Sequence, residues 1–576
     1  MLPADDDTEA LQWLGRASGI VGEGGTDASK PLAKQVRLAS SQIRSLHNKL
    51  FYRPLLNSVV EQDIGTLQLS ADAAKRQLAA LGYQYPDRAY EHLSALAAGT
   101  SRKSRIQAML LPTLMEWLSS TPDPDAGLLN YRKLSEKLHD ETWFLRTLRD
   151  EGVVGQRLMR VLGSSPYASD LIMSAPDVIK RFGDGASGPK LLNTDSDAVG
   201  RALVAAAARH NSPAKAIGVA RALRRAELAR IASADLFGLM DVQEVCHSLS
   251  MVWDNVLEAA LAAEIRAWSL EHPDSEVPGI ISVIGMGRLG GAELGYGSDA
   301  DVMFICEPRK DADGAPLVDD SEAVKWATRI CDSLRRRLAK PSQDPPLEVD
   351  VDLRPEGRSG PIVRTLDSYV TYYERWGETW EIQALLRATW IAGDKDLGTR
   401  FLKAIDPLRY PQGGADAKMV RDVRRMKARV DSERLPRGAD RRTHTKLGSG
   451  ALTDIEWTVQ LLTMLHAHEV PELHNTSTLE CLEVLKDRGI LDAEDTDALR
   501  DAWLMATNAR NALVLTRGKR TDQLPQPGRQ LTQVAGAAGW EASDSNGFIE
   551  HYLRLTRHSS RVVNRVFWGE ENPDHE

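Results

Sequence analysis

Apolar residues recur at three- and four-residue spacing through most of this chain, and turn into continuous or alternating runs only near its middle. That periodicity predicts helices over residues 32–56, 71–98, 104–119 and 130–162. Turn signals such as Tyr85-Pro86-Asp87 and the stretch from Ser120 to Asp125 separate them. Asp184-Gly185-Ala186-Ser187-Gly188-Pro189 reads as a linker, and long helices follow near 197–235 and 241–269. After the middle, amphipathic patterns over 366–390, 416–434, 451–468, 476–488, 493–517 and 546–567 predict a second helical bundle. The expected fold class is mostly α with one α+β domain flanked by helical bundles. The expected domains are 1–183, 190–375 and 376–576.

The middle carries the chemistry. Ile280-Ile281-Ser282-Val283-Ile284 is strand-like, and the residues from Gly285 to Asp301 read Gly-Met-Gly-Arg-Leu-Gly-Gly-Ala-Glu-Leu-Gly-Tyr-Gly-Ser-Asp-Ala-Asp. Gly285, Gly287 and Gly290 fit the dinucleotide fingerprint G-x-G-x-x-G, which would make the chain an NAD(P)-binding oxidoreductase. Such a fold needs a helix of about a dozen residues before its next strand. Here only Ala292 to Ser298 separate Gly291 from Asp299, with Gly295 and Gly297 interrupting them. Asp301-Val302-Met303-Phe304-Ile305 is then the next strand, with Asp299 and Asp301 on one face and apolar residues on the other. Two carboxylates at i and i+2 beside a glycine-rich turn suit divalent cations held against a triphosphate. Leu289-Gly290-Gly291 followed by Asp299-Ala300-Asp301-Val302 resembles the nucleotidyltransferase pattern of the DNA polymerase β superfamily.

Two metals and a triphosphate need a further ligand. Leu347 to Leu353 alternates, placing Glu348, Asp350 and Asp352 on one face, and Asp350 is the expected third acid. Between the strands, Ser321 to Ala339 has a helical stripe of Ala323, Val324, Ala327, Ile330, Cys331 and Leu334. The expected assignments are Asp299, Asp301 and Asp350 as catalytic and Mg²⁺-binding residues. Gly290, Gly291, Ser298, Arg354 and Lys446 are expected at the ATP. For Arg354 and Arg358, pairing with the acidic strand competes with phosphate binding. Residues 421–446 hold ten Lys or Arg against four acids, either a solvated helix face with a basic loop or a surface for triphosphate or an acidic partner. Tyr369, Tyr373, Trp376 and Trp380 recur at helical spacing, more in keeping with core than with adenine stacking. His466, His468 and His474 lack a ligand-spaced partner.

Composition narrows the classes. A net charge of −9 argues against a general nucleic-acid binder. Cys246, Cys306, Cys331 and Cys481 form no C-x-x-C pair, which argues against a zinc site or a disulfide framework. The acidic start and the lack of any run approaching 18 apolar residues argue against a signal peptide or a membrane span, so a cytoplasmic location is expected.

The glycine-aspartate segment, together with Val349-Asp350-Val351-Asp352-Leu353-Arg354-Pro355-Glu356-Gly357-Arg358-Ser359-Gly360-Pro361, closely resembles the glutamine-synthetase adenylyltransferases of bacterial nitrogen control. Lys446 to Trp457 and Leu162-Gly163-Ser164-Ser165-Pro166-Tyr167 are similar to further motifs of that family, in wording most like its actinobacterial members. The resemblance implies transfer of AMP from ATP to a tyrosine of glutamine synthetase, with Mg²⁺, under control by glutamine and a PII-type signal protein. Family members carry two nucleotidyltransferase units, one removing and one attaching AMP. A single Gly-Gly to Asp-x-Asp unit stands here, so the resemblance implies the C-terminal, attaching half preceded by the tail of the other. A non-catalytic helical regulatory protein is the remaining alternative.

Overall fold

The computed structural model describes residues 8–18, 32, 70–99, 101–194, 196–541 and 544–570. Apart from residue 32, the helix expected over 32–56 lies outside them. The chain divides into two compact units, Met1–Gly163 and Ser164–Glu576, and is mostly helical with small sheets.

The first unit includes helices Ala71–Ala80, Pro86–Ala97, Arg102–Ser119, Pro124–Lys137, Thr142–Asp150 and Gly152–Ser164. Ser70, Ser101 and Asp123 cap three of them by accepting from backbone N–H groups of the first turn. The single helix expected over 130–162 is therefore three, broken after Lys137 and again at Glu151. Breaking the helix lets Tyr131, Phe144 and Leu158 all be buried.

In the second unit, α1 (Pro166–Ser174), α2 (Ser196–Ala208), α3 (Pro213–Leu236) and α4 (Val242–Glu271) precede the sheet. Pro213 starts α3 at its first turn, which splits the helix expected over 197–235. A reciprocal capping box between Asp241 and Glu244 fixes the start of α4.

The sheet contains β1 (Gly279–Gly285), β2 (Ala300–Pro308), β3 (Val349–Asp350), β4 (Val363–Thr365) and β5 (Thr389–Gly393), with α5 (Asp320–Leu338) between β2 and β3. Its path runs β3-β2-β1-β5, with β4 also paired to β2. β1 and β2 are antiparallel, Gly285 opposite Val302, whereas β2 runs parallel to β3 and β4. An antiparallel partner directly after the glycine turn is incompatible with the parallel crossover of a dinucleotide fold, so the oxidoreductase reading is overturned.

Two local expectations also change. The alternating strand over 347–353 shortens to β3, and β2 is apolar on both faces beyond Asp301 because helices cover it on both sides. Met303 and Ile305 pack with Tyr369, Tyr373 and Phe401 from α6 (Leu366–Trp376) and α8 (Lys395–Arg409), while α5 also lies against β2. The helix expected over 366–390 breaks at Gly377. A new helix, α7 (Thr379–Leu385), starts with a capping box between Glu378 and Glu381, and β5 follows. The C-terminal helices α9 (Ala417–Glu433), α10 (Leu452–His466), α11 (Thr478–Asp487), α12 (Ala493–Arg517), α13 (Arg529–Ala537) and α14 (Ser545–Val563) include those expected there, with α13 added. Among the described residues no helix is long and apolar enough to cross a membrane.

Candidate active site

The three acids meet at one end of the sheet because of register. Asp301 and Asp350 are direct partners across the parallel β2–β3 pair, and Asp299 precedes Asp301 by two residues. The Ala300 N–H donates to the Glu348 carbonyl at 2.9 Å, which fixes that register at the strand ends. Burial, then the charges of Asp299 and Asp350, push the Asp301 carboxyl up to about 7, while Lys446 and Arg520 pull the other way. Asp299 accepts from Arg520 Nη1 at 3.0 Å, and one Asp350 oxygen accepts from the Asp352 N–H at 2.7 Å. Among the described residues no three His, Cys, Asp or Glu side chains stand assembled as a metal cage. The acids nonetheless repel one another in a partly buried place, a donor set that a hard divalent cation would neutralise.

The glycine turn is held from behind. Arg387 donates through Nε to the Gly287 carbonyl at 3.0 Å and through Nη1 to Thr478 Oγ1 at 2.8 Å, and pairs with the Glu293 carboxylate. Glu293 in turn accepts from the Thr478 N–H at 2.6 Å, so a buried ion pair fastens the turn to the start of α11. This packing explains Gly290 and Gly291. A Cβ on Gly290 would lie 1.7 Å from the Arg387 carbonyl oxygen, and one on Gly291 would lie 2.1 Å from Arg387 Nη2. Neither lines the cavity in front of the acids; Gly287 does, with φ of +53° and room for a Cβ only 2.7 Å from Asp301 Oδ2. Ser298 lines it too, its hydroxyl accepting from the Gly295 N–H at 3.3 Å.

That cavity has a volume of about 560 Å³ and joins two kinds of wall. Asp299, Asp301, Lys446, Arg510 and Arg520 contribute charged wall, and Trp380, Ala384, Met426, Val430 and Trp457 contribute apolar and aromatic wall. Lys446 is pushed below its usual range by burial and by Arg510 and Arg520. Asp522 pairs with Arg510 at 2.6 Å and, despite burial, is held below the usual carboxylate range by that partner. A site of this size, lined by cations, acids and aromatic rings, has the chemistry to hold a nucleoside triphosphate.

Of the residues expected at the site, Asp299, Asp301, Ser298 and Lys446 line this cavity, and Asp350 stands beside Asp301 in register. Arg354 does not line it. Its guanidinium is buried and donates to the carbonyls of Val351 at 2.7 Å, Gly360 at 3.0 Å and Arg358 at 3.2 Å, holding together the loop after β3. Arg358 pairs with Asp352 at 2.6 Å.

The basic stretch divides in the same way. Lys427 is buried between Asp431 and Asp454, Arg425 pairs with Asp422, and Arg434 and Lys446 reach the cavity. Tyr369 and Tyr373 are core, Trp376 is exposed, and Trp380 lines the cavity. His474 stacks on Tyr410 with ring centroids 3.8 Å apart and takes no part.

Sequence reasoning missed Arg288, Arg387, Glu293, Arg510, Arg520 and Asp522. Arg288 and Glu293 sat inside the quoted glycine segment, where Arg288 bonds Glu456 at 2.8 Å. The turn Arg517-Gly518-Lys519-Arg520-Thr521-Asp522 carried a visible cationic signal, with Gly518 ending α12 at φ of +68°. What that turn faces is set by the tertiary fold.

Similarity to known proteins is extensive. The model of the glutamate-ammonia ligase adenylyltransferase family matches residues 155–404, covering the sheet and its acids. The model of the GlnD PII-uridylyltransferase family matches residues 424–567 in the C-terminal helices. The chain is 65% identical to the bifunctional glutamine synthetase adenylyltransferase/adenylyl-removing enzyme of Corynebacterium efficiens, over 99% of its own length and 54% of that protein's. It is 64% identical to the protein of the same name from Corynebacterium diphtheriae, over 100% of its own length and 54% of the relative's. For the Mycobacterium tuberculosis protein the identity is 56%, over 98% and 56%. The chain thus spans about half the length of the curated relatives it matches.

Proposed function

We propose that the chain, similar over 99% of its length to a glutamine synthetase adenylyltransferase, belongs to that family and transfers AMP from ATP to a tyrosine of glutamine synthetase. The observation that carries this reading is the meeting of Asp299 and Asp301 in the wall of a cavity sized for a nucleotide, with Asp350 in register beside Asp301. The polymerase β-like arrangement, a catalytic domain between helical domains, is part of the same proposal.

Each residue then has a task. Trp380, Met426 and Trp457 enclose the base, while Lys446, Arg510 and Arg520 balance the triphosphate charge. Gly287, its backbone pressed close to Asp301, lets the phosphates approach the acids, and Gly290 and Gly291 act behind it by seating Arg387. Asp299, Asp301 and Asp350 are the residues that would hold Mg²⁺, which supplies neutralisation of the triphosphate and acidification of the attacking phenol. The phenolic oxygen bonds to the α-phosphorus as the bond to the β-phosphate oxygen breaks. Pyrophosphate leaves, and one of the three acids takes the phenolic proton.

The match of the C-terminal helices to the PII-uridylyltransferase model supports a PII-type signal protein as a regulatory partner, with glutamine as a small effector. A cytoplasmic location follows from that setting. The test uses ATP labelled at either the α or the γ phosphorus, with Mg²⁺ and glutamine synthetase. Label from the α position should appear on the acceptor and label from the γ position in pyrophosphate. Transfer of the γ label to protein would make the site a kinase and reject the reading.

A further inference from the structure

A second cavity, of about 350 Å³, reaches one of the catalytic acids, Asp299, and the proposed nucleotide site leaves most of it unused. It shares three residues with the first cavity, Ser298, Asp299 and Arg520, and its other walls come from different elements. Tyr167 and Leu171 of α1 and Val514 of α12 supply apolar wall. Tyr167 is itself braced edge-on against Tyr296 of the glycine segment, ring centroids 5.5 Å apart. Asp170, Arg225 and Lys519 bring charges of both signs, with Arg225 Nη2 donating to Asp344 at 3.0 Å. The Asp299–Arg520 ion pair is thus the partition between two chambers.

We propose that this second cavity is the acceptor subsite, receiving a tyrosyl side chain presented on a folded protein. The inference rests on the adenylyl-transfer reading above. Displacement at phosphorus is in line, so the nucleophile must reach the α-phosphate from the side opposite the leaving pyrophosphate. With the nucleotide in the first cavity, the second is the chamber whose walls end at the same acid. Its volume exceeds what a phenol ring needs and leaves space for the neighbouring backbone, while the mixed charges suit a polypeptide rather than a small apolar molecule. Arg520 then has two successive partners: Asp299 before the nucleotide enters, and the triphosphate afterwards, which opens the partition.

Ser174, at the end of α1, lines this cavity but not the nucleotide cavity, and it is half-buried. All four native cysteines are buried, so a Ser174→Cys variant offers one accessible thiol for a bulky maleimide. Labelled and unlabelled preparations of this variant are compared for ATP·Mg²⁺ binding and for AMP transfer to glutamine synthetase. The unlabelled sample guards against a folding defect. The subsite predicts that labelling lowers transfer roughly tenfold or more while the Kd for ATP stays the same. Equal transfer by labelled and unlabelled protein would overturn it, as would a parallel loss of ATP binding, which would mean the chambers are one site. If neither the variant nor the parent chain transfers AMP, the adenylyl-transfer reading fails and this inference falls with it.

Discussion

Asp301 is held beside two other acids in a partly buried position, which raises its proton affinity. Replacing it by Asn removes a repulsive charge while keeping the shape of the side chain. Asp301→Asn should therefore fold with a thermal midpoint no lower than the parent's, yet lose AMP transfer by about 10²–10³-fold; melting curves and initial rates together check this. A second residue-scale prediction concerns Gly290, which has no room for a methyl group against the Arg387 carbonyl. Gly290→Ala should lower stability by about 1–3 kcal/mol or more, read from the urea midpoint. Removing one member of the buried Arg387–Glu293 pair leaves the other charge unpartnered, so Arg387→Ala should cost about 3–5 kcal/mol.

Between elements, the end of α3 is tied to the glycine segment by Tyr296 Oη donating to Asp235 at 3.0 Å. Burial raises the Asp235 carboxyl to about 7, so the folded protein keeps a proton that the unfolded chain releases near 4. The stability this proton provides is complete below about pH 4 and is lost as pH rises to about 7. Asp235→Asn keeps an acceptor for Tyr296 and cannot ionise. Its unfolding midpoint should fall less between pH 5 and 8 than the parent's, and parallel pH profiles would remove Asp235 from the account.

The elements also mark what was legible in the sequence. Strand β2, helix α5 and the bundle helices α9 to α12 followed from apolar periodicity, because each buries one continuous stripe or run. The break at Gly377 and the strand β5 did not, since Tyr369, Tyr373, Trp376 and Trp380 continue a helical spacing across a point where the chain turns. The acids were visible as Asp-x-Asp and an acidic strand. Arg520 was not, because its pairing with Asp299 joins residues 221 positions apart. Arg354 was visible as a cation near the acids, but its commitment to three loop carbonyls depends on the turn from Val351 to Gly360.

At the scale of the whole molecule, the acid-bearing sheet lies in a unit with helices before and after it, and helices late in the chain furnish much of the cavity. α7, α9, α10 and the turn after α12 all contribute walls, so a sheet excised without them would lack Trp380, Met426, Trp457 and Arg520. The central claim is that this one constellation moves AMP onto a tyrosine of another protein. The most direct measurement is mass spectrometry of glutamine synthetase after incubation with the chain, ATP and Mg²⁺, with Asp301→Asn in parallel. An added AMP on a tyrosine is expected with the parent chain, and its loss with the variant. Unmodified glutamine synthetase with the parent chain, or equal modification by both proteins, would contradict it.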